Sequence, residues 1–427
     1  MLTIGLFFAG LLGYALISRV LDRASISAQI VMLGIGVGIG VVAKGTSEAT
    51  FDTELLGIAG ELALILALVV DAARIDVGAL RRTAGLPVRL LVIGLPLTIV
   101  IGTIAALVLP GISLLEAVIV ATLLAPTDAA LGAVVVNSRI VPRRIRQALN
   151  VESGLNDGLV TPIVLLAASL AVAEADTGET AWIADAVAQI VLGAIAGIGV
   201  GALGAVALRV AVGRGWMLEG THWIAALAIG LVAWFVAHEL DGNVFVAAFA
   251  AGLAMTAVYG RLPESFLEFA ELGGELVGLT VFFLFGALLV KIAGTISVPV
   301  VVYAVLSLTV VRMLPVAISL RGTRLRRPTV AFIGWFGPRG LASIVLTLVA
   351  LGDGGGTPPF GATVVAAVAV TIALSVVLHG LSAGPAVARY GAFVATLPDT
   401  AAELKQTAEL RTRGGVDRRS AARQAPS

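Results

Sequence analysis

The sequence predicts an all-α polytopic membrane protein of about thirteen transmembrane helices, N-terminus outside and C-terminus inside, arranged as two inverted six-helix repeats. Three observations predict it. Hydrophobic residues fill 59% of the 427 positions and charged residues only 13%, against roughly 25% charged in soluble domains, so the charges cannot coat several water-facing globules. Apolar runs repeatedly exceed the ~18 residues that a spanning helix needs. Basic residues collect in alternate connections between these runs, as they do in short cytoplasmic loops.

The apolar runs, in order, are Leu2–Ile17, Ile26–Ala43, Leu55–Ala73, Val88–Leu109, Ser113–Val136, Asn150–Ala173, Ala184–Val212, Trp223–His238, Val244–Tyr259, Gly274–Val290, Thr295–Leu320, Pro328–Leu351 and Phe360–Val387. The first lacks a basic leader and is followed by its positive charges, so it reads as an uncleaved outside-to-inside helix. Arg19 and Arg23 begin one series of loops, which continues through Arg74, Arg81, Arg82 and Arg89, then Arg139, Arg143, Arg144 and Arg146. Arg209 and Arg214, Arg261, and finally Arg321, Arg324, Arg326 and Arg327 complete it. The opposite loops hold acids, with Lys44 and Lys291 as their basic residues: Glu48, Asp52 and Glu54; Glu174, Asp176, Glu179 and Asp185; Glu239 and Asp241. A missed helix would put every later basic cluster on the wrong side, so the alternation requires an odd number of spans. Residues 1–397 then form the transmembrane domain and 398–427 a short, polar cytoplasmic tail.

Composition removes other classes. A net charge of +1 spread over short loop clusters gives no broad surface for nucleic acid, and zero Cys excludes disulfide scaffolds, thiolate catalysis and Cys-ligated zinc. The 50 glycines suit helices packed closely in lipid. No cofactor is implied, and no hydrolase motif supports an enzyme.

Thirteen spans divide as six, one and six, which places inverted repeats at about 1–173 and 223–390 around a linking helix at 184–212. Transporters of this kind place their site where matching helices of both halves are broken. The fifth run of the first half carries Ala125-Pro126-Thr127-Asp128, and the fifth of the second carries Gly337-Pro338-Arg339-Gly340. Pro126 and Pro338 each remove a helical hydrogen bond, and the freed backbone groups must be satisfied within protein. Opposed half-helices point partial charges into the gap, which Asp128 and Arg339 can offset.

The next run opens Asn150-Val151-Glu152-Ser153-Gly154-Leu155-Asn156-Asp157. Helical spacing stacks Glu152 on Asn156 and Ser153 on Asp157, giving two adjacent polar columns. Asp128 and Asp157, with oxygens of Thr127 and Ser153, supply what a desolvated monovalent or divalent cation needs in place of water. The same carboxylates bind protons, so cation and proton compete, and competition is the core of antiport. Arg339 requires a partner: Glu152 leaves Asp128 and Asp157 free for ions, whereas Asp157 would block the site. Arg312, inside an apolar run, reads as a packing or snorkelling residue. Asp71 reads equally as a carboxylate giving cations access from the cytoplasm or as a boundary residue paired with Arg74. Glu116 reads as a water-facing residue near the outer end of its helix. His222, His238 and His379 fall near helix ends and define neither a metal site nor a pH sensor. A cation channel remains a weaker alternative.

Residues 150–158 resemble the G-E-S-x-L-N-D signature of the NhaP/NHE-like sodium/proton exchangers of the monovalent cation:proton antiporter-1 group. Ala125-Pro126-Thr127-Asp128 is similar to that family's T-D motif, Gly337-Pro338-Arg339-Gly340 to its Gly-x-Arg-Gly, and Val70–Asp76 with Arg81-Arg82 to its third-helix end. Weaker patterns fall at Phe282–Gly286 and Asn243–Leu253. The chain departs at Pro126, which precedes rather than follows Thr-Asp, and at Val151, which replaces Gly before Glu152. The resemblance spans Leu2 to about Val387 and implies an NhaA/NhaP-like fold with crossed discontinuous helices. It implies exchange of Na+, with K+ or Li+ as alternatives, for H+ across a cell membrane by a homodimer. Thr127, Asp128, Ser153 and Asp157 would hold the cation, Asn156 would organise the helix breaks, and Glu152 with Arg339 would form a structural ion pair. Asn at 156, where electrogenic relatives carry Asp, implies electroneutral exchange.

Overall fold

A computed structural model describes residues 2–44, 53–74, 85–128, 130–175, 181–218, 221–260, 262, 264–351 and 361–405. Asp76, Arg81 and Arg82, which contribute to the family resemblance, lie outside the described residues, as do Glu48, Asp52, Asp176, Glu179 and Arg261.

All regular structure among the described residues is helical. The first part of the chain forms α1 (Leu2–Arg23), α2 (Ala28–Lys44), α3 (Thr53–Ala73) and α4 (Gly85–Ala106), the last with a π-helical turn at Leu90–Gly94. Next come α5 (Leu114–Leu123), the single turn α6 (Ala133–Val136), α7 (Arg143–Ala175) and α8 (Ala181–Gly213). The second part contains α9 (His222–Glu239), α10 (Val244–Tyr259), α11 (Glu264–Lys291) and α12 (Val298–Ser319), which is interrupted at Thr309. It closes with α13 (Arg327–Trp335), α14 (Leu341–Leu351) and α15 (Ala362–Val394).

Among these, α1, α4, α8, α9, α11, α12 and α15 are long and apolar enough to cross a bilayer, while α2, α5 and α10 are shorter apolar helices. Helix edges depart from the hydrophobic runs where polar residues are themselves good helix formers. α7 starts at Arg143 rather than Asn150, because arginine and glutamine extend a helix after hydrophobicity has ended. The runs expected at 113–136 and 328–351 are each divided, into α5 and α6 and into α13 and α14.

Lipid offers no hydrophobic drive for helix association, so close backbone approach has to supply it. α8 lies along α10 with Gly193, Gly197 and Gly201 directly against the backbone of Asn243, Ala247 and Ala251. A Cβ at any of the three would overlap that backbone. α3 packs against α10, α11 and α14. Leu64, Ile65, Leu68, Ile119, Leu123 and Phe283 are fully buried in the shared core. Leu16, Ile104, Leu203 and Val298 face outward and are exposed, the inverse of the polar outer face of a water-soluble bundle.

The polar tail is not wholly solvated. Glu403 is buried, and its Oε1 accepts the Arg326 amide at 2.7 Å and the Thr329 hydroxyl at 3.1 Å. It thereby occupies the N-terminus of α13, where unsatisfied amides favour an anion. Arg144, at the start of α7, donates to the Ala402 carbonyl, so the tail joins two helices that carry the site.

Candidate functional site

Two helix breaks meet inside the core. α5 opens with a capping box, in which Ser113 accepts the Glu116 amide and Glu116 accepts the Ser113 amide. Glu116 also accepts the Gly361 amide at 2.9 Å, so it is occupied in tying helix ends rather than simply meeting water. α5 stops at Leu123, and Ala125 to Asp128 leave the helical path, as Pro126 dictates. On the other side α13 ends at Trp335, and the chain is non-helical from Phe336 to Gly340 before α14 begins.

Asp128 joins the breaks. Its amide donates to the Pro338 carbonyl at 2.8 Å. Its Oδ1 accepts the amides of Ala130 at 2.7 Å and Leu131 at 3.3 Å, and its Oδ2 accepts the Leu341 amide at 2.9 Å. One carboxylate therefore caps the turn after its own break and the first turn of α14, where helix ends present unpaired amides and partial positive charge. The spacing explains Gly340, since a Cβ there would run into the Asp128 carboxylate.

α7 lays its polar columns against this meeting point. The hydroxyls of Thr127 and Ser153 are 2.9 Å apart, and Asn156 Nδ2 donates to Thr127 Oγ1 at 2.7 Å. Thr127, Asp128, Ser153, Asn156 and Asp157 are all buried. Asp157 follows Asn156 directly and stands one turn beyond Ser153, so its carboxyl belongs to the same column. Asp71 is buried too: its Cβ and Cγ lie 3.7 and 3.9 Å from where a Cβ at Gly154 would stand. That places it beside the site helix rather than on the surface. The structure thus gathers Thr127, Ser153 and Asn156 by direct bonds, joins Asp128 to Pro338, and sets Asp71 against α7 next to Ser153.

The expected Glu152–Arg339 pair is not what forms. Glu152 is held by Arg312, with Nη1 to Oε1 at 2.5 Å and Nη2 to Oε2 at 2.9 Å. Arg312 and Glu152 are 4% and 3% exposed, so this is a buried, bidentate pair, the arrangement a guanidinium fork makes best. Arg312 is therefore neither a snorkelling nor a mere packing residue. A Cβ at Gly337 would strike its guanidinium, which gives the second break's first glycine its reason. Arg339 is fully buried and donates from Nη1 to the Gly337 carbonyl at 2.7 Å, staying within its own break. The sequence assigned Arg312 to packing or snorkelling, and only the approach of α12 to α7 brings it to Glu152.

His379 was also misplaced by the hydrophobic run. α15 continues to Val394, which puts His379 inside the helix, 1% exposed. Its Nδ1 lies 3.1 Å from Ser375 Oγ and 3.0 Å from the Ser375 carbonyl. Ser375 Oγ accepts the Arg339 amide at 2.6 Å. A Ser-x-x-x-His spacing inside a long apolar run was the available signal, since it stacks two polar groups on one helical face.

A profile of the sodium/hydrogen exchanger transmembrane family matches residues 6–389. The K(+)/H(+) antiporter NhaP2 of Shewanella oneidensis is 25% identical over 342 residues, which is 78% of this chain and 58% of that protein. Its counterpart in Shewanella sp. strain ANA-3 is 26% identical over 240 residues, 56% of this chain and 41% of its own length. The chain thus spans about half the length of these relatives. Among solved structures, the sodium proton antiporter MjNhaP1 of Methanocaldococcus jannaschii at pH 8 superposes with a TM-score of 0.73 at 20% identity, covering 92% of this chain and 99% of that one.

Proposed function

The chain belongs to the sodium/hydrogen exchanger family, and from that premise we propose that it exchanges a monovalent cation for protons across a membrane by alternating access. The carrying observation is the meeting of the two breaks: a buried carboxylate, Asp128, caps its own turn and the start of α14, the hydroxyls of Thr127 and Ser153 meet beside this break, and Asp157 is buried one turn beyond Ser153.

The geometry divides the work between the two aspartates. Asp128 is engaged by three backbone amides and holds the breaks together. Asp157 is the exchanging carboxylate, with the hydroxyls of Thr127 and Ser153 completing the oxygen set for a desolvated cation. A cation and a proton compete for the same carboxylate oxygens, so one displaces the other. Asn156 adds no second charge and spends its amide on Thr127, which supports one proton per cation and electroneutral exchange. Asp71, beside Gly154 of α7 and near the expected cytoplasmic end of α3, gives cations access to the site.

We assign Na+ as the cation, with K+ as the second reading because the NhaP2 relatives are named K(+)/H(+) antiporters. The full arrangement is thirteen spans, N-terminus outside, in two inverted repeats, working as a homodimer in a cell membrane. The test is reconstitution into liposomes carrying an internal pH dye, with Na+, K+ and Li+ offered separately and the voltage clamped by an ionophore. Cation-dependent proton movement in the wild type, lost in Asp157→Asn, supports the reading. Equal activity in Asp157→Asn rejects it, and current indifferent to a proton gradient would point to a channel.

A further inference from the structure

One peptide unit at the second break is gripped from both ends. The Pro338 carbonyl accepts the Asp128 amide at 2.8 Å, and the N–H of the same peptide plane, on Arg339, donates to Ser375 Oγ at 2.6 Å. No cis peptide bond occurs among the described residues, so this C=O and N–H point in opposite directions from a rigid plane. Whatever fixes the N–H therefore fixes the direction in which the carbonyl meets Asp128.

Ser375 is itself held. It is fully buried on α15, one turn before His379, whose Nδ1 stands 3.1 Å from its hydroxyl. One turn further, Ser382 Oγ accepts the Trp335 indole N–H at 2.9 Å, and the Trp335 ring packs on the His379 imidazole with centroids 4.9 Å apart. Trp335 is the last residue of α13, and Arg339 stands just before α14. The row Ser375, His379, Ser382 on α15 thus holds the chain on both sides of Pro338. Buried Thr371, a turn earlier on the same helix, bonds only to its own backbone at Ala367, so polarity alone does not create this grip.

We propose that Ser375 and His379 are positioning residues for the exchange site. Ser375 orients the Pro338–Arg339 peptide plane that meets Asp128, and His379, through Nδ1, orients the Ser375 hydroxyl. The proposal rests on the exchanger reading and extends it to a helix that supplies no ion-binding oxygen. The contact to Ser375 is made by Nδ1, and this makes the role separable from bulk packing. An Asn side chain places its amide near the Nδ1 position, whereas a Gln side chain reaches the Nε2 position.

The experiment measures apparent cation affinity and maximal exchange rate in liposomes for the wild type, Ser375→Ala, Ser375→Thr, His379→Asn and His379→Gln, each normalised to folded transporter. Loss of one hydrogen bond that aims the break is expected to weaken apparent cation affinity about three- to tenfold in Ser375→Ala and His379→Gln. Ser375→Thr and His379→Asn should recover most of that loss. Hydrogen exchange at the Arg339 amide should quicken in Ser375→Ala. Wild-type affinity in both Ser375→Ala and His379→Gln would overturn the proposal, as would equal losses in Asn and Gln at 379. So would effects confined to the yield of folded protein. A wild type that moves no protons with any cation would instead overturn the exchanger reading, and the positioning role with it.

Discussion

Removing Arg312 or Glu152 should destabilise this protein sharply, and removing both should cost well short of the sum. The pair is bidentate at 2.5 and 2.9 Å, with both residues at or below 4% exposure. Two charge-assisted hydrogen bonds at about 1.5–3 kcal/mol each give about 3–6 kcal/mol. Loss of one partner from a buried pair costs about 3–5 kcal/mol by the separate route of an uncompensated charge. Arg312→Gln and Glu152→Gln should therefore each lower the melting temperature of the detergent-purified protein sharply. The double variant carries no orphaned charge, so its shift should fall well short of the sum of the singles. A matched cycle of Glu152→Gln with Arg339→Gln provides the contrast, because Arg339 bonds to the Gly337 carbonyl instead. Additive shifts in the Arg312 cycle, or a larger coupling in the Arg339 cycle, would refute the assignment of the ion pair.

Three further perturbations probe the meeting of the breaks and its surroundings. Gly340→Ala should abolish exchange and lower the yield of folded protein, because its Cβ would collide with the Asp128 carboxylate, while Gly5→Ala, with open space around it, should match the wild type in both measurements. Asn156→Asp adds a carboxyl beside Asp157 and should make any surviving exchange sensitive to membrane voltage; voltage-independent exchange would count against the charge argument for electroneutrality. Glu403→Ala removes the anion at the α13 N-terminus and should cost about 1 kcal/mol, the usual value of a lost cap, read as a modest fall in melting temperature.

Local chemistry made much of this legible. The two proline-marked breaks are visible because proline cannot donate a helical hydrogen bond, and the polar columns of α7 follow from helical spacing alone. Boundaries were less legible, since α7 and α15 both continue beyond their apolar runs. Hydrophobicity reports contact with lipid, whereas helix ends depend on capping and propensity. Placing His379 near a helix end followed from that confusion.

The sequence by itself determined that this chain is helical and lipid-facing, and which residue types meet at the breaks, because composition and periodicity act over a few turns. The tertiary structure decided partners. That Glu152 receives Arg312 rather than Arg339, that Asp128 reaches the amide of Leu341, and that Ser375 takes the amide of Arg339 all depend on how helices far apart in the chain approach one another. A guanidinium or an amide bonds to whichever acceptor lies within about 3 Å, and distances of that kind are fixed by packing, not by order along the chain.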